Sequence, residues 1–321
     1  MVTIWWGVLG LLLGGYFALA GYDYGVGMLL PALSRDEAGQ RRVLGAVGPF
    51  FLANEVWLVA AVGVLFGAFP HLEGRVFAGA YVLIVLLLLG LVTFTAAVQL
   101  RSRHPEGNRR GWTFAITAGA LVTAVSWGLF LGNLVRGLPL DAQGRPVDDV
   151  LALFNPYAVL WGLGFVALFC LQGLVFLAVR GPGRVRRLTR SFLLPVGVFL
   201  VTATVWGAFF GGSWAALTVV AVAFAAYLTV LFGLRRPRLA LPAVMLLSAC
   251  PALLVGVLRF PVVLSSGAGY QLTVDQAATT PDMAAVLGWF AAPTLLVLVV
   301  VQWLTWRAHR RPVDEKSLLH F

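Results

Sequence analysis

The sequence predicts an all-α integral membrane protein of about nine transmembrane helices, with the N-terminus outside and the C-terminus in the cytoplasm. Three observations predict this fold class. Hydrophobic residues make up 60% of the 321 residues and charged residues 11%, which leaves too little polar surface for a soluble globule of this size. Nine apolar runs are long enough to cross about 30 Å of hydrocarbon. Basic residues are concentrated in every second connection between these runs.

The nine predicted spans follow one another along the whole chain. The first lacks a basic region before Trp5 and is too long for a signal peptide, so we interpret it as a retained helix. Between the sixth and seventh spans only Gly211-Gly212-Ser213 breaks the apolar run, so hydropathy alone leaves a count of eight open. The predicted spans are 4–30, 44–69, 76–100, 113–135, 157–179, 191–210, 214–234, 239–259 and 284–306.

The distribution of positive charge decides between eight and nine spans. With the N-terminus outside, 19 of the 23 Lys and Arg residues fall on the cytoplasmic side. Such asymmetry is typical of multi-pass membrane proteins, and merging two spans would destroy it. Charge therefore favours nine spans. The basic residues left outside are Arg75, Arg136, Arg145 and Arg259.

Two longer polar segments, 136–156 and 260–283, fall on the outer side and are predicted to be ordered loops. Asn155-Pro156 is typical of a helix N-cap followed by proline at the first helical position, and predicts where the fifth span begins. No longer polar insertion is present. We therefore interpret residues 1–321 as a single transmembrane domain.

Two acids inside the predicted spans are the candidate functional residues, because an ionisable side chain is costly in hydrocarbon. Asp23 lies near the cytoplasmic end of the first span. Glu55 lies about 18 Å along the second span from its cytoplasmic end, near the midplane. Buried carboxyls can relay protons, so both are proton-path candidates. The alternatives are a snorkelling acid at the interface for Asp23, and a structural hydrogen bond to a neighbouring helix for Glu55.

We expect Asn54 or a neighbouring helix, rather than Trp57, to supply the partner of Glu55. Both Asn54 and Trp57 carry a side-chain N–H donor. Trp57, two positions beyond Glu55, projects from a different side of the helix.

Histidine placement predicts that the chain ligates no haem. Haem iron takes axial His, Met, Cys or Tyr ligands. We place all four histidines in loops or in the C-terminal tail, away from membrane depth, and interpret Met28 and Met245 as core-filling residues. The histidines are His71, His104, His309 and His320.

Other site chemistries find no support in the sequence. Cys170 and Cys250 lie about eighty residues apart in apolar runs, without the paired spacing of a metal or redox site, and are interpreted as buried hydrophobic residues. No phosphate-binding glycine loop or serine elbow is present. The net charge of +10 is spread over short loops rather than gathered on one soluble face, which excludes a nucleic-acid-binding protein.

A series of short motifs runs in order along nearly the whole chain. They are Gly21-Tyr-Asp-Tyr-Gly-Val-Gly-Met-Leu29, Asn54-Glu-Val-Trp-Leu58, Leu65-Phe-Gly-Ala-Phe-Pro70, Arg101, Gly132-Asn-Leu-Val-Arg-Gly-Leu-Pro-Leu-Asp141, Leu153-Phe-Asn-Pro-Tyr157, Phe260-Pro261, Leu272-Thr273 and Ala277-Ala-Thr-Thr-Pro281. Together, these motifs resemble subunit II of the cytochrome bd oxidases.

The resemblance implies the non-haem-ligating subunit of a quinol:oxygen oxidoreductase in the bacterial plasma membrane. It implies nine spans, which we expect to form two four-helix bundles plus one peripheral helix. It implies a homologous partner, subunit I, that carries haems b and d, while this chain alone is not catalytic. Membrane lipid and quinone are the other expected partners, and a structural quinone and a proton route are associated with this subunit in the family. No nucleic-acid partner is expected.

The sequence departs from the family pattern where an acid is expected. Ala20 replaces an acid in the first-span motif, and Phe51-Leu52-Ala53 stands where the family reads Trp-Asp-Gly. Gln172 also replaces a different polar or aromatic residue. The acids Asp23 and Glu55 therefore carry what remains of the expected proton path. The supporting motif residues are Asn54, Trp57 and Arg101.

Two alternatives stay open at this point. A proton-coupled secondary membrane transporter would also place rare acids near the midplane. Transporters typically break helices with Gly or Pro in corresponding halves of the chain, and we find no such matched pair. The other alternative is a structural membrane scaffold.

Overall fold

The computed structural model describes residues 1–103, 109–180, 185–208 and 213–309. Within these ranges nine helices are long and apolar enough to span a membrane, in the order predicted. They are α1 (Val2–Leu33), α2 (Glu37–Ala68), α4 (Tyr81–Arg103), α5 (Arg109–Arg136), α6 (Pro156–Arg180), α7 (Arg186–Ala208), α8 (Trp214–Gly233), α9 (Pro237–Leu258) and α11 (Pro281–Ala308), with the short helices α3 (Pro70–Gly79) and α10 (Val274–Ala277) between them.

The all-α membrane fold is thereby confirmed. The orientation, the grouping into two four-helix bundles plus one peripheral helix, and the single domain stay predictions. Gly211 and Gly212 of the weak boundary lie outside the described residues. On its far side Ser213 caps α8, because its Oγ accepts a hydrogen bond from the Ala216 N–H at 3.1 Å.

The predicted start of the third span at residue 76 is wrong. Helix α4 begins at Tyr81, and the residues before it form the separate helix α3. Pro70 stands at the first position of α3, where a residue without an N–H is tolerated but could not continue α2. Hydropathy missed the break because Val76 to Ala78 are as apolar as the span that follows. His71 consequently lies on a helix rather than in a loop.

Helix α1 lies at the centre of the bundle and packs against α2, α5, α6 and α9. Its contact with α6 is a backbone contact: a Cβ atom at Gly25 would overlap the Phe169 carbonyl, and Gly173 lies beside Gly25. Small residues allow such close approach where lipid removes the hydrophobic drive between helices. Side chains on this part of α1 are therefore enclosed by protein.

Helix α11 is the least buried of the spans and packs against α2. Its buried residues are Ala284, Leu298 and Gln302, of which only Gln302 is polar. Most of its other side chains are apolar and exposed, as a lipid-facing helix requires.

The two polar segments are ordered, as predicted, and meet at the end of the bundle where α1 begins. Strand β1 (Val262–Ser265) pairs antiparallel with β2 (Gln271–Thr273), and the Leu138 N–H donates to the Ser265 carbonyl at 3.0 Å. The predicted N-cap is confirmed, because Asn155 Oδ1 accepts from the Ala158 N–H at 3.0 Å and α6 begins at Pro156.

Candidate functional site

Asp23 is buried in the centre of the bundle with 3% of its surface exposed. Protein therefore encloses its carboxyl, whereas the carboxyl of a snorkelling acid would reach solvent. Asn54 on α2 meets it: the Asn54 Nδ2 donates to Asp23 Oδ2 at 2.8 Å. The same nitrogen lies 3.0 Å from the Leu19 carbonyl and 2.8 Å from the Tyr22 hydroxyl. Asn54 itself is fully buried and joins α1 to α2.

A third helix completes this arrangement. The Gln302 Nε2 of α11 donates to Asn54 Oδ1 at 3.0 Å, and Gln302 is 7% exposed. We call Tyr22, Asp23, Asn54 and Gln302 the Asn54 network. Sequence reasoning missed Gln302, although it is the single amide side chain in α11 and that signal was available.

The Asn54 network has two oxygen atoms without a hydrogen-bond partner among the described residues, and we call these atoms its open positions. Asp23 Oδ1 and Gln302 Oε1 are buried and have no hydrogen-bond partner in the described part of the chain. Buried polar atoms are normally paired, so unpaired acceptors in one network indicate a site that can take up a proton or a further hydrogen bond.

Glu55 points away from Asn54 toward α4. The Thr95 Oγ1 of α4 donates to Glu55 Oε1 at 2.6 Å. The partner of Glu55 thus comes from a neighbouring helix, which is one of the two sources expected. No hydrogen bond joins Glu55 to Asp23 among the described residues, although Glu55 lies close enough to interact with Asp23 electrostatically.

The other two predicted motif residues have packing and bridging contacts. The Trp57 ring packs on α1 so closely that a Cβ at Gly15 would collide with it. Arg101 is buried at the end of α4, and its guanidinium donates to Glu37 Oε2 at 2.9 Å and Gln40 Oε1 at 2.7 Å on α2. It also donates to the Thr113 hydroxyl of α5 at 2.5 Å. Arg101 therefore ties α2, α4 and α5 together.

A second polar junction lies where α1, α6 and α9 meet. The Gln172 Nε2 donates to the Ala18 carbonyl at 2.6 Å, and the Ser248 hydroxyl donates to Gln172 Oε1 at 2.7 Å. We call Gln172, Ala18 and Ser248 the Gln172 junction. Both ends of the Gln172 amide have partners, whereas among the described residues the Gln302 amide of the Asn54 network has a partner only at its nitrogen.

The described histidines stand at the ends of helices. His71 lies in the first turn of α3, and His309 caps the C-terminus of α11 with its ring 5.8 Å from the Phe50 ring. His104 and His320 fall outside the described residues. Across the described ranges, no group of three or more His, Cys, Asp or Glu side chains is arranged to hold a metal ion.

The remaining candidate ligands are packing residues in the structure. Cys170 and Cys250 are free and buried within α6 and α9. Met28 and Met245 are partly buried and pack against the main hydrophobic core. Their surroundings are apolar core side chains.

Comparison with known proteins gives one consistent family. The model of the family described as cytochrome bd terminal oxidase subunit II matches residues 1–309. Cytochrome bd ubiquinol oxidase subunit 2 of Bacillus subtilis (strain 168) is 30% identical over 250 residues, which is 77% of this chain and 69% of that protein.

Two further proteins extend the comparison. Cytochrome bd-I ubiquinol oxidase subunit 2 of Escherichia coli (strain K12) is 33% identical over 198 residues, which is 59% of this chain. The matched region spans about half of that relative, 51% of its length. A chain of the bd oxidase from Geobacillus thermodenitrificans superposes with a TM-score of 0.76 and 20% identity, covering 96% of this chain and 98% of that chain. At this identity the superposition establishes the fold alone.

Proposed function

This chain belongs to the cytochrome bd terminal oxidase subunit II family, and we propose that it is the non-haem-ligating subunit of a bd-type quinol oxidase. The complex would sit in the bacterial plasma membrane, oxidise quinol and reduce oxygen to water. The observation that carries the proposal is the family match over residues 1–309. That match does not favour the alternative of a proton-coupled transporter.

The partner in this proposal is a haem-bearing subunit I that holds haems b and d. Support comes from the two described histidines, His71 and His309, which stand at helix ends rather than in the middle of a span. The chain's contribution is then to stabilise subunit I and to complete the membrane-embedded complex.

Lipid, quinone and subunit I would share the apolar outer surface. Large apolar side chains are exposed along α2, α4 and α11, among them Val59, Val92 and Leu296. A surface of this kind is stable against lipid tails or another apolar helix, and not against water. A structural quinone would need this same apolar environment.

A role in proton access is the finer part of the proposal. Asp23 is buried in α1 and Glu55 is half-buried in α2, and Asn54 donates directly to Asp23. The unpaired Asp23 Oδ1 can take a proton without breaking an existing hydrogen bond. Delivery of protons through subunit I is the competing route.

Co-purification tests the proposal. A tagged copy of this chain, purified in mild detergent from its native membrane, should bring with it a haem-bearing polypeptide and quinol oxidase activity. The chain expressed alone should show no Soret absorption, because the described histidines, His71 and His309, lie at helix ends and the sequence predicts the other two in a loop and in the tail. A haemless complex would support the scaffold alternative, and stoichiometric haem in the isolated chain would overturn the proposal.

A further inference from the structure

Gln302 is the one polar residue among the buried side chains of α11. We propose that Gln302 is a positioning residue that holds the Asn54 amide so that its NH₂ group, and not its carbonyl, faces Asp23. This inference deepens the proton-access role and rests on the proposed function only for its physiological meaning. Its evidence is the geometry of the Asn54 network.

The orientation of Asn54 follows from the groups around it. A backbone carbonyl can only accept a hydrogen bond, so the Asn54 atom that lies 3.0 Å from the Leu19 carbonyl must be the NH₂ nitrogen. Asn54 Oδ1 therefore points the other way, toward Gln302. The Gln302 Nε2 lies 3.0 Å from it and donates.

This orientation matters for Asp23 because Asn54 is the one side chain of the described residues that donates to its carboxyl. The Asn54 Nδ2 donates to Asp23 Oδ2 at 2.8 Å, while Oδ1 receives no hydrogen bond from the described residues. Such a bond favours the ionised carboxylate. If the Asn54 amide were turned around, its carbonyl would face Asp23, and only a protonated carboxyl could then donate to it.

The Leu19 carbonyl and Gln302 oppose that turn together. A reversed Asn54 would set its Oδ1 against the Leu19 carbonyl, with two acceptors facing each other, and would take from Gln302 Nε2 the acceptor that it now meets. Without the Gln302 donor, Asn54 Oδ1 would be buried and unpaired, which is costly. The Asn54 side chain would then shift toward another donor, and its hydrogen bond to Asp23 would weaken.

Charge cannot explain an effect of neutral replacements at this position. The ionisable groups that interact with Asp23 lie on α1 and α2, and the Arg180 guanidinium of α6 interacts with Tyr22. Helix α11 contributes the neutral Gln302 amide to the network. The groups concerned are Tyr16, Tyr22 and Tyr24 on α1, Glu55 on α2 and Arg180 on α6.

The test measures the titration of Asp23 in the complex purified through this chain. The infrared carboxyl band of Asp23, assigned as the band lost in Asp23→Asn, is followed against pH in the wild type and in Gln302→Met. We expect the midpoint of the titration to rise by about one pH unit, the size expected for losing one hydrogen bond to a charged group. Gln302→Asn, one methylene shorter, keeps an amide in α11 and should shift the midpoint in the same direction.

Two controls distinguish the positioning of Asn54 by Gln302 from a general loosening of the packing of α11. Leu298→Ala also removes a buried side chain from α11 but does not touch Asn54, so it should leave the midpoint unchanged. In an Asn54→Leu background, Gln302→Met should have no further effect, because the coupling runs through Asn54.

Four results would overturn the proposal. They are an unchanged midpoint in either Gln302 variant, an equal shift in Leu298→Ala, a full shift in the Asn54→Leu background, or an Asp23 that never ionises in the wild type. The readout needs no turnover, so a complex without quinol oxidase activity would count against the proposed function and leave this test intact.

Discussion

The Gln172 junction and the Asn54 network each tie three helices together through buried amide side chains. In the Gln172 junction, the amide donates to a carbonyl of α1 and accepts from the Ser248 hydroxyl of α9. In the Asn54 network, Asp23 Oδ1 and Gln302 Oε1 have no partner within the described residues. Burial is similar in the two regions, and hydrogen-bond completeness is what differs.

This difference separates a structural polar group from a candidate functional one. In the closed junction the amide oxygen and nitrogen of Gln172 each already have a partner, so neither is left as an unpaired buried atom. An open carboxyl can change its protonation state while its existing bond to Asn54 adjusts. Polar content of a span is therefore a weaker guide to function than the hydrogen bonds its polar groups leave unmade.

The largest effect should come from the helix contact on which the Gln172 junction is built. Gly25→Ala would place a methyl group on the Phe169 carbonyl and push α1 away from α6. We expect a loss of about 3 kcal/mol in the free energy of unfolding, as in an overpacked core. Thermal unfolding of the detergent-purified protein, followed by tryptophan fluorescence, measures this loss.

Gly63→Ala is the matched control for that substitution. Gly63 also lies inside a helix, α2, but no atom lies within 4 Å of where its Cβ would stand. The change should be neutral or stabilising, because alanine favours helix. Equal stability of the Gly25 and Gly63 variants would contradict the close α1–α6 contact.

The next largest effect should come from Gln172 itself, and it tests the comparison between the Gln172 junction and the Asn54 network. Gln172→Leu removes both hydrogen bonds of the closed junction, so the complex should lose about 2 kcal/mol of stability. Turnover per folded complex should stay at the wild-type value, because no open position is lost. Ser248→Ala removes one of the two bonds and should cost less. If Gln172→Leu lowered turnover without lowering stability, the fully paired Gln172 junction could not be classed as structural, and the comparison with the Asn54 network would fail.

The sequence predicted the spans well because each is a long apolar run with basic residues at one end. It also predicted the α6 start, because Asn155 and Pro156 form a local signal. The pairing of Asn54 with Gln302 could not be predicted, since 248 positions separate them and their contact depends on how α11 packs on α2. Helix α3 was missed because its apolar C-terminal half merges with α4.

Replacing Glu55 should have a smaller effect, and that effect should be on turnover. Glu55→Gln keeps the side-chain volume and a hydrogen bond with Thr95 but cannot exchange a proton. We expect oxygen reduction coupled to cytoplasmic proton uptake to slow about tenfold, or about 1.4 kcal/mol of activation free energy. Haem content of the complex should stay normal.

Glu55→Leu distinguishes the relay from a structural role. If Glu55→Gln keeps full turnover while Glu55→Leu loses assembly, then Glu55 is a structural hydrogen-bonding group. In that case the open positions of the Asn54 network would be the remaining proton-accessible site on this chain.

The smallest effect concerns the donor to Glu55. Thr95→Val is nearly isosteric but removes the hydroxyl that donates to Glu55 Oε1 at 2.6 Å. The carboxyl should then lose one hydrogen bond, worth about 1 kcal/mol net, and turnover should fall by a factor of about two to five. Thr95→Ser restores the hydroxyl and should restore turnover, which a pure packing effect would not do. Wild-type turnover in Thr95→Val would mean that Thr95 serves only to anchor α4 to α2. The bond between Thr95 and Glu55 would then be structural, like those of the Gln172 junction.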